Sequence, residues 1–523
     1  MLAAGAYRGQ QEPSALAWLA SPWVVVGLIA AYLGAHFVVR LLTGPSLGMD
    51  DAEQALFAQA WSVGYRFRQP PLFTWLALPL FAWLGPGILA LSILRYLLLG
   101  LTYLCMYATA RRWIADPRLA ALSTFSFALI YVFGYYAHHD LTHTTALSAA
   151  IALTFLAFAR LVERPGPGSY ALLGLAFGLG MLAKWNFIML GAALPITCLF
   201  WQKLRPLVLT WKTLLTGAIA ALVASPPVLW VLAHQSFGTV SGDVLSEEAA
   251  SGFLATLALG TAELLKASFV FPLPFLPLFL LVFGAALWRG IREPAPDAPP
   301  RPVTPGFLGA LIAVCLGLHW LLVPALGAVT FTERWMHPAL MILPVFLFAL
   351  AERGRPSPRA IGIFASLIGI VGVATLAVRL ALFSLGADHC GRCRDLVHFD
   401  VLAAELKAAG FERGTIVVPP DELHIGGNLR VEFPESRVID PAYPLAIWPP
   451  PTRGGQCLIV WQPDRPEAEG VRADLEAYLR DSLGVPEGAP REDGELHAPM
   501  AGSAERDYTL AYELLPTGPG ACH

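Results

Sequence analysis

Charged side chains are scarce in this sequence: Asp, Glu, Lys and Arg make up 14% of its 523 residues, whereas hydrophobic residues make up 56%. A soluble domain usually carries about 25% charged residues, so the composition excludes a chain that folds around one water-soluble core. The formal net charge is only −3, from 35 basic and 38 acidic residues. This balance provides no large basic surface, so we expect membrane lipid, and not nucleic acid, to be a partner.

Long apolar runs recur over most of the chain. A helix that crosses the hydrocarbon core of a bilayer needs about 20 apolar residues. The sequence therefore predicts an α-helical multi-pass membrane protein with about eleven transmembrane helices, near 17–42, 88–110, 118–136, 141–161, 169–183, 187–201, 212–233, 270–288, 306–326, 337–350 and 359–384. The first run is longer than a secretory signal and no small-residue cleavage site follows it, so we expect a retained helix.

Basic residues are concentrated in alternate connections between these runs. Cytoplasmic loops are rich in Lys and Arg, which predicts that these connections are cytoplasmic. They carry Arg111, Arg112, Arg118, Arg160, Arg164, Lys203, Arg205, Lys212, Arg289, Arg292, Arg301, Arg353, Arg355 and Arg359. An amino terminus inside the cell and an odd number of crossings then place the chain after about residue 385 outside the cytoplasm.

The carboxyl-terminal part has a different pattern, which divides the chain into a membrane domain of residues 1–385 and a second domain of residues 386–523. Short runs of the second domain predict helices at 397–409 and 467–483, and strands at 415–418, 437–439 and 456–461. This alternation is typical of a small α/β domain. Residues 426–429 (GGNL) are interpreted as a turn.

Four of the seven cysteines lie outside the apolar runs, namely Cys390, Cys393, Cys457 and Cys522. In an oxidising compartment the close pair Cys390 and Cys393 favours a short-range disulfide. A zinc half-site and a redox motif are the alternatives.

The segment 48–61 (GMDDAEQALFAQAW), between the first two predicted spans, carries the first candidate functional residue. Asp50 has two interpretations. It can cap a helix that starts after it, or it can present a carboxylate at the outer membrane surface.

A second acidic position is Asp140, in the segment 135–143 (YYAHHDLTH) between two predicted spans. Ionisable residues at an apolar boundary usually mark a site. His139 and His143 have the spacing of one helix face and, with Asp140, indicate a possible divalent metal site. The alternative is that these histidines simply face water.

Basic residues on the predicted outer side are a third group of candidate functional residues. They are unusual there, because the positive-inside rule predicts few basic residues in outer loops. Lys184 lies between two short apolar runs, Arg334 precedes the run at 337–350, and Arg66 and Arg68 follow the Asp50 segment. Lys184 and Arg334 can form salt bridges with Glu333 or Asp140, or they can hold a phosphate. Carboxylates and cations on one membrane face indicate transfer of a group from a phosphate leaving group.

The sequence resembles the polyprenyl-phosphate-dependent membrane glycosyltransferases of the C-type fold, a family that includes protein O-mannosyltransferases and lipid A aminoarabinose and galacturonic acid transferases. The resemblance covers roughly residues 17–385. It is carried by the motifs at 49–52 (MDDA), 64–65 (GY), 69–72 (QPPL), 139–140 (HD), 178–184 (GLGMLAK) and 333–335 (ERW), with Pro338.

The resemblance implies roles for individual residues. Asp50 would be the catalytic base, with Asp140 as the second catalytic acidic residue. Asp51 stands where the family usually has Glu, so Asp51, Glu53 and His139 are candidates for a supporting role at the acceptor. The donor phosphate would be held by Lys184, Arg334 and Arg68.

The same resemblance implies inversion at the sugar carbon by direct displacement, with no certain cofactor and an open question of metal dependence. The donor is a polyprenyl-phosphate sugar, so no nucleotide-binding loop is expected, and the sequence contains neither a P-loop nor a dinucleotide fingerprint. The expected location is the bacterial inner membrane, with the active site and the carboxyl-terminal domain on the periplasmic side.

Three functional classes remain to be compared. The favoured interpretation is transfer of a sugar to lipid A or the lipopolysaccharide core, and the nearest alternative is transfer to protein. A lipid-linked sugar transporter or flippase would require inverted repeats, which the sequence does not show. A sensory protein with a membrane anchor would not need so many spans.

Overall fold

A computed structural model describes residues 16–234, 252–292, 302–389, 394–486, 488–503, 505–515 and 522. In this part of the chain, eight helices are long and apolar enough to cross a membrane. They are Pro22–Leu42, Ile88–Trp113, His143–Glu163, Lys212–His234, Phe253–Val270, Phe275–Arg292, Pro305–Leu326 and Pro358–Leu385. The predicted disulfide between Cys390 and Cys393 falls outside the described residues.

Shorter apolar helices complete the membrane part. Glu333–Leu340 and Leu343–Arg353 meet at an angle of 48° and count as a ninth span if they are taken together. Three further apolar helices have between 10 and 17 residues, namely Leu72–Leu84, Pro167–Ala183 and Trp185–Phe200. Broken or short apolar helices commonly line binding sites in membrane proteins.

The prediction of one continuous span at 118–136 is wrong. The helix Pro117–Phe125 is followed only by the short turns Ser126–Leu129, Tyr131–Gly134 and Tyr136–His138. A Cβ at Gly134 would clash with the carbonyl group of Ala128, so the glycine allows the chain to fold back on itself here. The predicted run is therefore a helix only as far as Phe125, and its second half is a series of short turns.

The helix Phe253–Val270 was not predicted. It carries Glu263 and Lys266, which interrupt the apolar pattern but pair with each other at 3.0 Å on the helix surface. Pro272 and Pro274 separate it from the next helix, Phe275–Arg292, since proline cannot donate the backbone hydrogen bond that a continuous helix needs.

The two ends of the helix bundle differ in their residues. At one end the basic connections meet: Arg112 Nε lies 3.2 Å from Glu163 Oε1, and Glu352 Oε1 accepts a 2.6 Å hydrogen bond from the amide of Asp116. At the other end lie the segment 43–71 and the carboxyl-terminal domain. The predicted candidate site residues belong to the second end.

The carboxyl-terminal domain contains a five-stranded mixed sheet. Strand Gly414–Val417 pairs in parallel with a neighbour on each side, with Ile416 opposite Val438 and Leu458, and the full order, in the labels given next, is β2-β1-β3-β5-β4. The strands are β1 Gly414–Val417, β2 Arg437–Ile439, β3 Gln456–Trp461, β4 Glu492–Pro499 and β5 Asp507–Leu515, and the helices are Phe399–Ala408, Leu423–Glu432 and Ala468–Leu483. The first three strands were predicted, whereas the antiparallel pair of β4 and β5 was not.

A disulfide joins Cys457 on β3 to Cys522 near the chain end. Helix Ala468–Leu483 covers the same face of the sheet, where Leu475 and Leu479 are buried with Cys457 and Ile459. The opposite face is buried against the other two helices and the segment 43–71. The sheet is thus covered on both sides, as expected for parallel strands.

The segment 43–71 is tightly packed on the carboxyl-terminal domain. Asn428 Oδ1 accepts a 2.8 Å hydrogen bond from the amide of Leu47, and Gln59 exchanges two hydrogen bonds with the backbone of Val438. The interpretation of residues 426–429 as a turn is wrong, because these residues lie inside the helix Leu423–Glu432. A Cβ at Gly427 would clash with the carbonyl of Ala52, so the glycine permits close packing of the two helices.

Candidate active site

The site is built around the amino terminus of the helix Met49–Phe57, which is held by a residue distant in sequence. Asp140 Oδ2 accepts a hydrogen bond from the amide of Met49 at 2.9 Å, and Oδ1 accepts from the amides of Asp50 at 3.0 Å and Asp51 at 3.3 Å. A carboxylate at this position satisfies free amides and interacts favourably with the helix dipole. The expectation that Asp50 caps the helix is wrong, because Asp50 lies in its first turn.

Gly48 makes this arrangement possible. A Cβ at this position would lie 2.6 Å from Asp140 Oδ1, which is too close for an ordinary contact. The glycine before the two aspartates therefore allows the Asp140 carboxylate to reach the helix.

Two buried arginines fix the segment that carries Asp140. Arg95 donates to the carbonyl of His139 at 3.0 Å, and Arg379 donates to the carbonyl of His138 at 3.0 Å. Neither arginine was identified from the sequence. The available signal was their position inside long apolar runs, where an ionisable residue usually has a functional or structural partner.

Asp51 forms a buried ion pair inside the protein. Its side chain is 2% exposed and lies 2.5 Å from Arg95 Nη2 and 3.9 Å from Arg40 Nη2. This ion pair links the helix Met49–Phe57 to the membrane helix Ile88–Trp113. Asp51 therefore anchors the site and faces away from solvent.

Glu53 lies on the same helix and is also paired. Its Oε2 is 2.8 Å from Arg66 Nη1, and its Oε1 is 3.6 Å from His143 Nε2. Burial raises the pKa of Glu53, but Arg66 and His143 outweigh this effect and hold the pKa below its usual value. Glu53 thus remains a negative charge close to Asp50.

Asp50 differs from these acidic neighbours. Among the described residues, no hydrogen bond or ion pair engages its carboxylate, and its side chain is partly exposed. Burial and the Glu53 charge raise the pKa of Asp50, while Arg334, His143 and Lys184 lower it. The balance raises the pKa, which makes this carboxylate a stronger base.

Lys184 and Arg334 both act electrostatically on Asp50, although they are 150 positions apart in the sequence. Lys184 lies between the helices Pro167–Ala183 and Trp185–Phe200, and its Nζ donates to Thr144 Oγ1 at 3.1 Å. Asn186 donates to the carbonyl of Trp335 at 3.1 Å and ties the two cation-bearing turns together. In the described ranges, neither cation forms the ion pair with Glu333 or Asp140 that was the alternative interpretation.

Arg68 is placed differently. Its side chain is exposed, like that of Arg334, but it is not among the main charges that shift the pKa of Asp50. Its neighbour Arg66 instead points to Glu53, as described above.

The two candidate metal-binding histidines are separated. The helix begins at His143, so His139 is not on it, contrary to the expected helix-face spacing. His139 Nε2 lies 3.4 Å from Asp395 Oδ2, whereas His143 Nε2 is 3.1 Å from Gln54 Nε2. The described part of the chain contains no group of three or more metal-ligating side chains.

In chemical terms, the described residues present a basic carboxylate that none of them pairs with and that is influenced by the charges of Lys184 and Arg334, at one end of a membrane helix bundle. This arrangement can remove a proton from a hydroxyl group and stabilise a departing phosphate. Fold and site together define a membrane-embedded group-transfer enzyme.

Known proteins that are similar to this chain identify its family. Residues 68–230 match the dolichyl-phosphate-mannose-protein mannosyltransferase family. The chain is 30% identical to the lipopolysaccharide core galacturonosyltransferase RgtB of Rhizobium johnstonii, over 88% of this chain and 91% of that protein. It is 29% identical to RgtA of the same organism, a second lipopolysaccharide core galacturonosyltransferase, over 93% of this chain and 96% of that protein.

The fold is also similar to a solved structure, that of ArnT from Cupriavidus metallidurans bound to undecaprenyl phosphate. The TM-score is 0.56 with 15% identity, over 94% of this chain and 98% of that chain. The chain therefore belongs to the polyprenyl-phosphate-dependent membrane glycosyltransferases of the C-type fold. The predicted family and enzyme class are confirmed.

Proposed function

We propose that this enzyme transfers a sugar from a polyprenyl phosphate to a saccharide of the lipopolysaccharide core, on the periplasmic face of the bacterial inner membrane. The observation that carries the proposal is that the Asp50 carboxylate, which has no hydrogen bond or ion pair among the described residues, lies in the electrostatic field of Lys184 and Arg334, whose turns Asn186 joins. The similarity to two core galacturonosyltransferases over nearly their whole length supports the acceptor and makes galacturonic acid the first sugar to test.

The reaction is a single displacement. Asp50 accepts the proton of an acceptor hydroxyl while the oxygen of that hydroxyl attacks the anomeric carbon of the donor sugar. The bond between that carbon and the phosphate oxygen breaks, so the configuration inverts and the phosphate leaves with the bonding electrons. Lys184 and Arg334 stabilise the charge that grows on the phosphate, and no acid is needed for this leaving group.

Asp140 supports this chemistry by positioning Asp50. Because it holds the first three amides of the helix Met49–Phe57, it fixes the backbone of Asp50. We assign Asp51 and Glu53 to the same supporting task. Arg68 and His139 keep their proposed roles at the donor and the acceptor, respectively.

The orientation rests on the charge distribution along the chain. The basic connections gather at the end of the bundle opposite the site, which is the cytoplasmic end by the positive-inside rule. The proposed site and the carboxyl-terminal domain then face the periplasm, where flipped lipid-linked sugars are available.

A reconstituted transfer assay tests the proposal. The purified enzyme in liposomes would receive polyprenyl-phosphate galacturonic acid together with lipopolysaccharide core or an unfolded periplasmic protein, and products would be weighed by mass spectrometry. We expect a core product heavier by one sugar residue. Transfer to the protein alone would support the protein acceptor instead, and no transfer to either would contradict the proposal.

Lys184 gives the reaction a pH dependence. Burial and the neighbouring Arg334 lower the pKa of Lys184 to about 8, while Asp50 partly offsets them. A lysine carries its charge below its pKa, so we expect donor affinity to fall as the pH rises above about 8. Lys184→Arg, whose guanidinium stays charged, should remove this fall, and the donor KM measured from pH 6 to 10 checks it. An identical alkaline decline in both proteins would contradict the role of Lys184.

A further inference from the structure

A cavity of about 560 Å³ lies between the Asp50 segment and the carboxyl-terminal domain. Met49 and Asp140 form one wall, and the domain supplies the other walls, including Glu422, Gln462 and Arg465. The volume falls within the range of roughly 300–1,000 Å³ that is typical of small-molecule sites.

The lining is mixed in hydrogen-bonding character. Arg465 is ion-paired with Glu422, so the two side chains present donors and acceptors side by side. Gln462 Oε1 is buried and has no hydrogen-bond partner among the residues that the structure describes. A buried polar atom normally has a partner, so this amide is available to a ligand.

Such a lining suits a polyhydroxylated ring, because each sugar hydroxyl both donates and accepts. The lining also contains Met49, Val397, Met500 and Tyr508, against which the apolar face of a sugar ring can pack. The cavity is also close to the chemistry, since Asp140 contacts the amide of Asp50 at 3.0 Å and Met49 precedes Asp50 directly.

We propose that this cavity binds a sugar ring of the acceptor saccharide and presents its neighbouring hydroxyl to Asp50. The inference rests on the proposed function and extends it, because it assigns acceptor recognition to Gln462, Glu422 and Arg465 of the carboxyl-terminal domain. These residues lie outside the part of the chain that matches the mannosyltransferase family.

The test measures the acceptor KM with lipopolysaccharide core at saturating donor, in Gln462→Leu and Arg465→Gln. Loss of one or two hydrogen bonds to the saccharide should raise it about tenfold. The donor KM should change much less. Arg480→Gln is the matched control, because Arg480 is an exposed arginine paired with Asp481 on the same domain but does not line the cavity.

A second measurement separates binding from folding. Isothermal titration of the delipidated core oligosaccharide, without donor, should give a weaker Kd for both cavity variants at unchanged thermal stability. An acceptor KM equal to that of the wild type in both variants would overturn the cavity assignment and leave the proposed function intact. Failure of the wild type to transfer sugar to the core would overturn both.

Discussion

Asp50→Asn is expected to leave the enzyme folded and inserted but to lower kcat by roughly 10²–10⁴-fold, the usual contribution of a general base. The amide has nearly the same size as the carboxylate but cannot accept the proton of the acceptor hydroxyl. No hydrogen bond or ion pair of the Asp50 carboxylate in the described structure is lost, so stability should change little. Transfer rates at saturating donor and acceptor, with thermal unfolding in detergent, check both parts.

The control for this variant is Asp400→Asn, which changes an exposed aspartate of the carboxyl-terminal domain that pairs with His398. It should retain wild-type kcat. The acidic limb of the pH profile gives a second check. A general base works only when it is deprotonated, so kcat should fall as the pH decreases. Because the pKa of Asp50 is raised, this fall should begin at a pH above the usual pKa range of an aspartate. Near-normal turnover of Asp50→Asn would exclude Asp50 as the base.

Arg95→Met is expected to destabilise the protein by about 3–5 kcal/mol, because it leaves the buried Asp51 charge without its main partner. Arg95 is fully buried and also holds the carbonyl of His139, so the Asp140 segment should loosen and transfer should fall as well. Thermal unfolding of the purified variant and its transfer rate measure the two effects.

The double variant Asp51→Asn with Arg95→Met separates charge from packing. Removing both charges avoids an unpaired buried ion, so stability should recover in large part relative to Arg95→Met alone. Transfer should recover less, because the hydrogen bond to His139 is still missing. A double variant as unstable as the single one would show that packing, and not the ion pair, makes Arg95 important.

Much of the fold was predictable because hydropathy dominates the free energy of a membrane helix. The runs at 17–42, 141–161 and 359–384 correspond to continuous helices in the structure. The run at 118–136 was misread because a close backbone contact at Gly134, which no hydropathy pattern reports, breaks it. In the carboxyl-terminal domain, β1 to β3 are largely buried apolar runs, whereas β4 carries exposed polar residues and β5 contains the buried Glu513, which weaken the apolar pattern of these two strands.

The candidate site shows a similar division. Charged residues in apolar surroundings indicated Asp50, Lys184 and Arg334 as candidates. In the structure, the charges of Lys184 and Arg334 act on the Asp50 carboxylate. Sequence reasoning did not find that Asp140 caps the helix Met49–Phe57 or that Arg95 neutralises Asp51. Both are contacts between segments distant along the chain, and no local periodicity encodes such pairs.

The most direct test of the central claim is mass spectrometry of lipopolysaccharide core and lipid A from cells that lack the gene, complemented by wild type or by Asp50→Asn. We expect the core of the deleted cells to lose the mass of one sugar and only the wild type to restore it. An unchanged core and lipid A in the deleted cells would contradict the proposed acceptor, and restoration by Asp50→Asn would contradict the proposed mechanism.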